Sequence, residues 1–193
     1  MGKVVVTEFV SLDGVFEDPG GSEGTEHAGW SFKFDRGEDG NRFKLDELMA
    51  ADAQLLGRVT FEGFAEAWPG REDDVGFAKK FNSMPKYVVS TTLEDPEWEN
   101  STVIKDNVPD EVSRLKEQYD GDILISGSGQ LVRALMENGL IDEYHLMVFP
   151  VVLGSGKRLF DGATTTSLKL TDSNPVGPDG VTVLTYVPAE KPA

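Results

Sequence analysis

Asp122-Ile123-Leu124-Ile125-Ser126-Gly127-Ser128-Gly129-Gln130 is the stretch that decides the fold of this chain. Asp122–Ile125 has the apolar, β-branched character of a short buried strand. It stops at Ser126-Gly127-Ser128-Gly129, and a helical pattern, Gly129–Asn138, begins at once. Leu131, Val132, Leu135 and Met136 fall on one face of that helix, and Gly139 provides a natural stop. A strand-to-helix turn made of Gly and Ser lets backbone come close to a ligand. The helix start adds unpaired N–H groups and a partial positive charge, which together favour a phosphate.

Working outward from this unit, strands are expected at Lys3–Ser11, Ala53–Leu56, Lys86–Ser90, Thr102–Ile104, Glu143–Phe149, Ser167–Asp172 and Val181–Val187. Further helices are expected at Arg42–Ala51, Val59–Ala67, Asp74–Asn82 and Pro109–Tyr119, the last with proline at its first turn. Strands and helices alternate through the middle, and strands dominate after Glu143. That order predicts an α/β fold with a central, mixed but mostly parallel sheet of about eight strands. Helices would cover both faces, and the C-terminal strands would close the sheet antiparallel. The whole span 1–193 reads as one domain. Glu17–Gly29, rich in glycine and acids, reads as a long mobile loop of the kind that often covers a site. Ala189–Ala193 reads as a frayed tail.

The chain has 193 residues, enough to bury about 70% of its unfolded surface. Its formal net charge is −16, which opposes binding to a nucleic-acid backbone. It contains no cysteine, which removes disulfides, thiolate metal sites and a cysteine nucleophile. No apolar run approaches the ~18 residues of a membrane span. The N-terminus opens on strand-like Val4-Val5-Val6 rather than a basic segment and apolar core, so a cytoplasmic location without membrane partners is expected.

Two other turns repeat the pattern of the opening stretch. Gly57-Arg58-Val59-Thr60 follows the Ala53–Leu56 strand: glycine for close approach, a guanidinium for a phosphate, a hydroxyl for the helix start. Ser90-Thr91-Thr92 follows the Lys86 strand. Open α/β sheets bind ligands at this carboxyl edge, and a dinucleotide needs several separate contacts there. Leu153-Gly154-Ser155-Gly156-Lys157-Arg158 is not a P-loop, because Val151 and Arg158 stand where glycine and a hydroxyl residue are required. Of the two histidines, His145 reads as a structural strand residue and His27 as an exposed loop residue, so no zinc site is expected.

In this order, Ser11-Leu12-Asp13-Gly14, Leu56-Gly57-Arg58-Val59-Thr60-Phe61-Glu62, Val89-Ser90-Thr91, Ile125-Ser126-Gly127-Ser128-Gly129 and Pro150-Val151-Val152-Leu153-Gly154-Ser155-Gly156 resemble the dihydrofolate reductase-like superfamily. The resemblance is to the branch of the riboflavin-biosynthesis reductase, the RibD C-terminal domain, and covers nearly the whole chain. It implies the three-layer dihydrofolate reductase-like fold, a homodimer, and NADPH as hydride donor. By the same resemblance, Gly57, Arg58 and Thr60 hold phosphate, with Ser90 and Thr91 near the 2′-phosphate. Ser126, Gly127, Ser128, Gly129 and Gln130 take the pyrophosphate, and Leu12, Asp13 and Gly14 border the nicotinamide.

Dihydrofolate reductases carry an acid five residues after a loop tryptophan, and Trp30 precedes Asp35 by that interval. Burial beside Trp30, Phe32 and Phe34, the first two as substrate contacts, would raise the pKa of Asp35 and let it donate a proton. Asp13, in the riboflavin-type Ser-Leu-Asp-Gly pattern, is the alternative acid or a turn residue. The implied activity is NADPH-dependent reduction of a C=N or C=O bond in a small pterin- or pyrimidine-like heterocycle. Two readings stay open beside it: a stand-alone 5-amino-6-(5-phosphoribosylamino)uracil reductase, and an NADPH-sensing module without turnover.

Overall fold

A computed structural model describes residues 1–189. Eight strands form one sheet: β1 (Val4–Ser11), β2 (Ala51–Gly57), β3 (Lys86–Val89), β4 (Ser101–Ile104), β5 (Asp122–Ile125), β6 (Glu143–Phe149), β7 (Leu168–Val176) and β8 (Val181–Pro188). Their spatial order is β4-β3-β2-β5-β1-β6-β8-β7. The first six run parallel, and β8 pairs antiparallel with both β6 and β7. This is the mixed sheet with an antiparallel C-terminal edge that the alternation of elements predicts.

Period-two alternation sorts the strand residues into two cores. Val4, Val6, Ile123 and Ile125 face one way, toward Val112 and Leu115 of α4 (Val108–Gln118) and Leu131, Val132 and Leu135 of α5 (Gly129–Glu137). Val5 and Leu124 face the other way. They meet Leu48 of α1 (Gly37–Ala50), Phe61 of α2 (Arg58–Ala67) and Phe81 of α3 (Phe77–Ser83). The layers are therefore helix, sheet, helix.

Element ends differ from the sequence reading where side chains cap or glycines permit contact. The helix expected from Arg42 begins at Gly37, since Asp35 Oδ1 accepts the Gly37 N–H at 2.7 Å and Glu38 and Asp39 occupy the positive first turn. The helix expected from Asp74 begins at Phe77. The Asp73 carboxylate takes the N–H groups of Phe77 and Ala78, and Gly76 turns the chain at φ 82°. β7 runs on to Val176 through Pro175, which an edge strand tolerates.

The Glu17–Gly29 loop is organised rather than slack. Asp18, 2% exposed, accepts the N–H groups of Glu23 and Thr25 and the Thr25 hydroxyl. The Ala189 N–H bonds Ser167 O, and the rest of the expected frayed tail, 190–193, lies outside the described residues. No helix among the described residues is long and apolar enough to cross a membrane.

Candidate active site

Because β2, β3 and β5 are parallel and lie side by side, the turns that leave their C-terminal ends converge on one cleft. Its volume is about 2250 Å³, and Gly57, Arg58, Thr60, Ser90, Thr91 and Ser126–Gln130 all line it. Pockets for a single small ligand reach about 1,000 Å³, so this cleft has room for two ligands side by side.

Hydrogen bonds lock two of the turns together. Ser128 Oγ accepts the Gly57 N–H at 2.9 Å and donates to Ser126 O at 3.1 Å. The Ser128 N–H in turn donates to Thr60 Oγ1 at 3.0 Å. The Ser128 hydroxyl is thus spent on holding the turn. Backbone remains as the donor set: the first α5 bond is Val132 N–H to Ser128 O, so the N–H groups of Gly129, Gln130 and Leu131 have no acceptor within the helix. Gly127 needs its φ of 58°, and a Cβ there would lie 2.8 Å from Thr60 Oγ1. A Cβ at Gly129 would meet the Phe16 ring at 2.5 Å. Side chains here would collide with Thr60 and Phe16.

Cations reach the same edge. Arg58 is half-exposed and Nη1 holds both Glu62 oxygens, at 3.1 and 2.8 Å. An anion that binds here must draw Arg58 off Glu62. Arg133 of α5, which carries no motif, also lines the cleft. In the β3 turn, Ser90 Oγ accepts the N–H groups of Thr92 and Leu93 and shapes the loop, leaving Thr91 exposed. The donor set fits an extended, multiply anionic ligand such as a dinucleotide.

The residues expected at the nicotinamide and substrate end fare differently. Leu12, Asp13 and Gly14 do not line the cleft. Asp13 accepts the Ser11 hydroxyl and the N–H groups of Leu153 and Gly154, with Arg158 Nη2 at 3.4 Å. The Ser11 hydroxyl first, then those two N–H groups, hold its carboxyl well below the usual range. It is an ionised turn residue with no proton to give. Leu12, although 63% exposed, donates its N–H to Val151 O, and the Gly14 carbonyl accepts from Leu159.

Trp30, 1% exposed, is core rather than a substrate contact. It packs edge-on to Phe149 and donates Nε1–H to Glu17 O. Phe32 is the reverse, 78% exposed at the cleft wall. Asp35 also reaches the cleft, but it is exposed and caps α1. The burial expected of Asp35 is absent, because a short 3-10 turn, Trp30–Lys33, sends Trp30 and Ser31 inward and leaves Phe32, Lys33 and Asp35 exposed.

Two acids buried in the cleft wall are Asp18, whose carboxylate is taken up by Glu23 and Thr25, and Glu8, on β1. Glu8 is 5% exposed, lines the cleft, and its Oε1 has no hydrogen-bond partner among the described residues. Burial, assisted by repulsion from Glu47, pushes its pKa well above the ordinary carboxylate value against the pull of Lys44 and the Gly127 N–H. Its signal was present in Val4-Val5-Val6-Thr7-Glu8-Phe9-Val10: a carboxylate on the strand face of Val6 and Val10 is a buried charge.

Beside it runs an ion-pair chain. Lys44 Nζ donates to Thr7 Oγ1 and Glu47, both at 2.5 Å, Glu47 Oε1 meets His145 Nδ1 at 2.7 Å, and His145 Nε2 meets Glu143 at 2.8 Å. His145 is structural, as its strand setting indicates.

The family model of the RibD C-terminal domain matches residues 2–182. The uncharacterized protein YyaP of Bacillus subtilis (strain 168) is 31% identical over 189 residues, covering 95% of this chain and 94% of that protein. Among solved structures, a putative riboflavin biosynthesis protein from Shewanella sp. PV-4 superposes with a TM-score of 0.77 at 22% identity, over 97% of this chain and 99% of that one. Dihydrofolate reductase from Enterococcus faecalis, complexed with NADP(H), gives a TM-score of 0.63 at 18% identity, over 98% of both chains. The fold is dihydrofolate reductase-like.

Proposed function

The chain belongs to the RibD C-terminal domain family, and from that premise we propose that it is a reductase that uses NADPH to reduce a C=N or C=O bond in a small heterocycle. The observation that carries the proposal is the convergence of three strand-end turns on one cleft large enough for cofactor and substrate together. The α5 N-terminus would hold the pyrophosphate on the N–H groups of Gly129–Leu131. Arg58 and Thr91 would hold the 2′-phosphate, the feature that separates NADPH from NADH. When bound, the dihydronicotinamide supplies hydride. The protein supplies orientation, exclusion of water and the proton.

Exposure of Asp35 and full engagement of Asp13 would favour a sensing module without turnover, were these the only acids available. Glu8 returns an acid to the cleft, and so favours the enzyme.

Thermal stability of the purified chain with NADPH, NADH and no ligand tests the proposal. Ligand at 100 times its dissociation constant adds about 2.7 kcal/mol, a rise of roughly 5–10 °C for a domain of this size. The expected result is a shift of that size with NADPH and a smaller one with NADH at the same concentration. No shift with either, up to millimolar ligand, overturns it.

A further inference from the structure

We propose that Glu8 is the catalytic acid of this cleft, the group that supplies the proton to the atom reduced. The proposal rests on the reading of the cleft as a hydride-transfer site, and adds to it the residue that completes the reduction.

The geometry begins with strand lengths. β1 pairs with β5 only as far as Val6 opposite Ile125, whereas its pairing with β6 continues to Ser11 opposite Phe149. Beyond Val6 the β5 side of β1 is open, because the chain has turned away at Ser126-Gly127. Glu8 lies in this gap, on the cleft wall, next to the turn that the cofactor reading assigns to phosphate. It shares a strand face with Val6 and Val10, members of the apolar cluster that includes Leu131, Leu146 and Leu159.

Nothing nearby among the described residues completes an ion pair. The charged groups that act on Glu8 are Lys44 and Glu47, both on α1, and they oppose one another. Lys44 Nζ is already engaged by Thr7 Oγ1 and by Glu47 itself. A buried carboxylate without a partner is costly, and the usual escape is to keep the proton. The unpartnered Oε1 is then a hydrogen-bonding position that no group among the described residues fills, buried in the wall of the cleft that Glu8 lines.

The step balances in atoms and electrons. Hydride from the dihydronicotinamide forms the new C–H bond at the electrophilic carbon. The π pair of the C=N or C=O bond moves to nitrogen or oxygen, and that atom takes the proton as the Glu8 O–H bond breaks. Glu8 is left as a carboxylate, and it is reprotonated from solvent once product leaves. A neutral acid also selects the substrate: it donates to a ring nitrogen or carbonyl oxygen and offers no charge to a cation.

The protonation state of Glu8 can be read without turnover. In the full chain with 13C-labelled glutamate side chains, one carboxyl resonance should stay protonated through neutral pH and vanish in Glu8→Gln. The infrared carbonyl band of an un-ionised acid, measured on the wild type alone, gives the same information if the variant does not fold. Glu8→Gln should keep the NADPH-induced thermal shift.

Assayed with 7,8-dihydrofolate and with 5-amino-6-(5-phosphoribosylamino)uracil, the variant should lose about 10²–10⁴-fold in kcat/KM on whichever the wild type reduces. The wild-type rate should fall as pH rises through the Glu8 pKa. Ionisation of Glu8 in the ordinary carboxylate range, or an unchanged rate and pH profile in Glu8→Gln, overturns the proposal. If the wild type shows no NADPH shift, the cofactor reading fails instead, and the two failures stay distinguishable.

Discussion

Lys86, at the N-terminal end of β3, and Glu8, near the C-terminal end of β1, are both ionisable and both withdrawn from water, 0% and 5% exposed. Their surroundings are opposite. Lys86 Nζ has three hydrogens and three acceptors: Asn82 O at 2.5 Å, Met84 O at 2.9 Å and Glu99 O at 3.0 Å. Trp98 closes the site with its ring centroid 4.3 Å from Nζ, and its own Nε1–H is held by Asn82 Oδ1. Burial still pushes the ammonium down to about 8, against the pull of Glu99. Glu8 has an oxygen with no partner among the described residues. A complete set of partners fixes a fold, whereas an incomplete set facing a cavity leaves a place for a ligand. One edge of this sheet is built to stay closed and the other to receive.

Breaking the closed edge should have the largest effect on stability. Lys86 ties the end of α3 to the chain entering β4, so Lys86→Met takes the donor from three carbonyls at once. At about 1 kcal/mol each, the loss is about 3 kcal/mol, or roughly 6–12 °C in Tm. The NADPH-induced shift should persist in the variant, because no Lys86 contact reaches the cleft. Calorimetry with and without NADPH checks both parts. A variant as stable as the wild type would show that the three carbonyls do not need the ammonium.

The receiving edge should give the reverse pattern. Arg58→Ala removes only a half-exposed pair with Glu62, worth about 0.3–0.5 kcal/mol, so Tm without ligand should hardly move. NADPH affinity should fall about 30-fold, the equivalent of about 2 kcal/mol for a charge-assisted contact. NADH affinity should stay near its wild-type value, since NADH lacks the 2′-phosphate. Titration with both nucleotides decides it, and equal losses would remove Arg58 from the 2′-phosphate site.

The same contrast explains what the sequence made legible. The turns at Gly57, Ser90 and Gly127 are local signals: residue types that permit close approach, placed where a strand ends. The parallel order of β2, β3 and β5 carried them to one edge. Asp35 failed because its environment is set by a short 3-10 turn whose direction no spacing reveals: Trp30 goes inward while Phe32 and Asp35 stay out. Asp13, read as an alternative acid or a turn residue, proves to be the latter. Ser-Leu-Asp-Gly leaves both roles open, because the N–H groups that consume its oxygens lie about 140 positions away in sequence. Glu8 and Lys86 were overlooked because a single charge in a strand reads as a solvent-facing position. Only the two-residue alternation with Val6 and Val10 contradicts that for Glu8.

The smallest effect is the most specific to Glu8, and it lies in the pH dependence of stability. A carboxyl whose pKa is raised by folding holds a proton that the unfolded chain releases above about 4.3. Each pH unit from there to the folded pKa costs stability, at most about 1.4 kcal/mol per unit for one proton. His145 acts in the same direction but starts later. Burial lowers its pKa, the hydrogen bonds of Glu47 and Glu143 more than restore it, and the net shift is upward. Its stabilisation is complete below about 6.5 and is lost as pH rises through its folded pKa. Glu47, held at about 2 by Lys44 and His145 against the cost of burial, is already ionised throughout this range. Between pH 5 and pH 6, therefore, Glu8→Gln should flatten the fall in stability whereas His145→Gln should leave its slope unchanged; above pH 6.5 His145→Gln should flatten it. Urea titrations at half-unit pH steps separate the two. A Glu8→Gln curve parallel to the wild type from pH 5 to pH 8 would mean that Glu8 ionises in place, and that the two edges of the sheet differ less than their hydrogen bonds indicate.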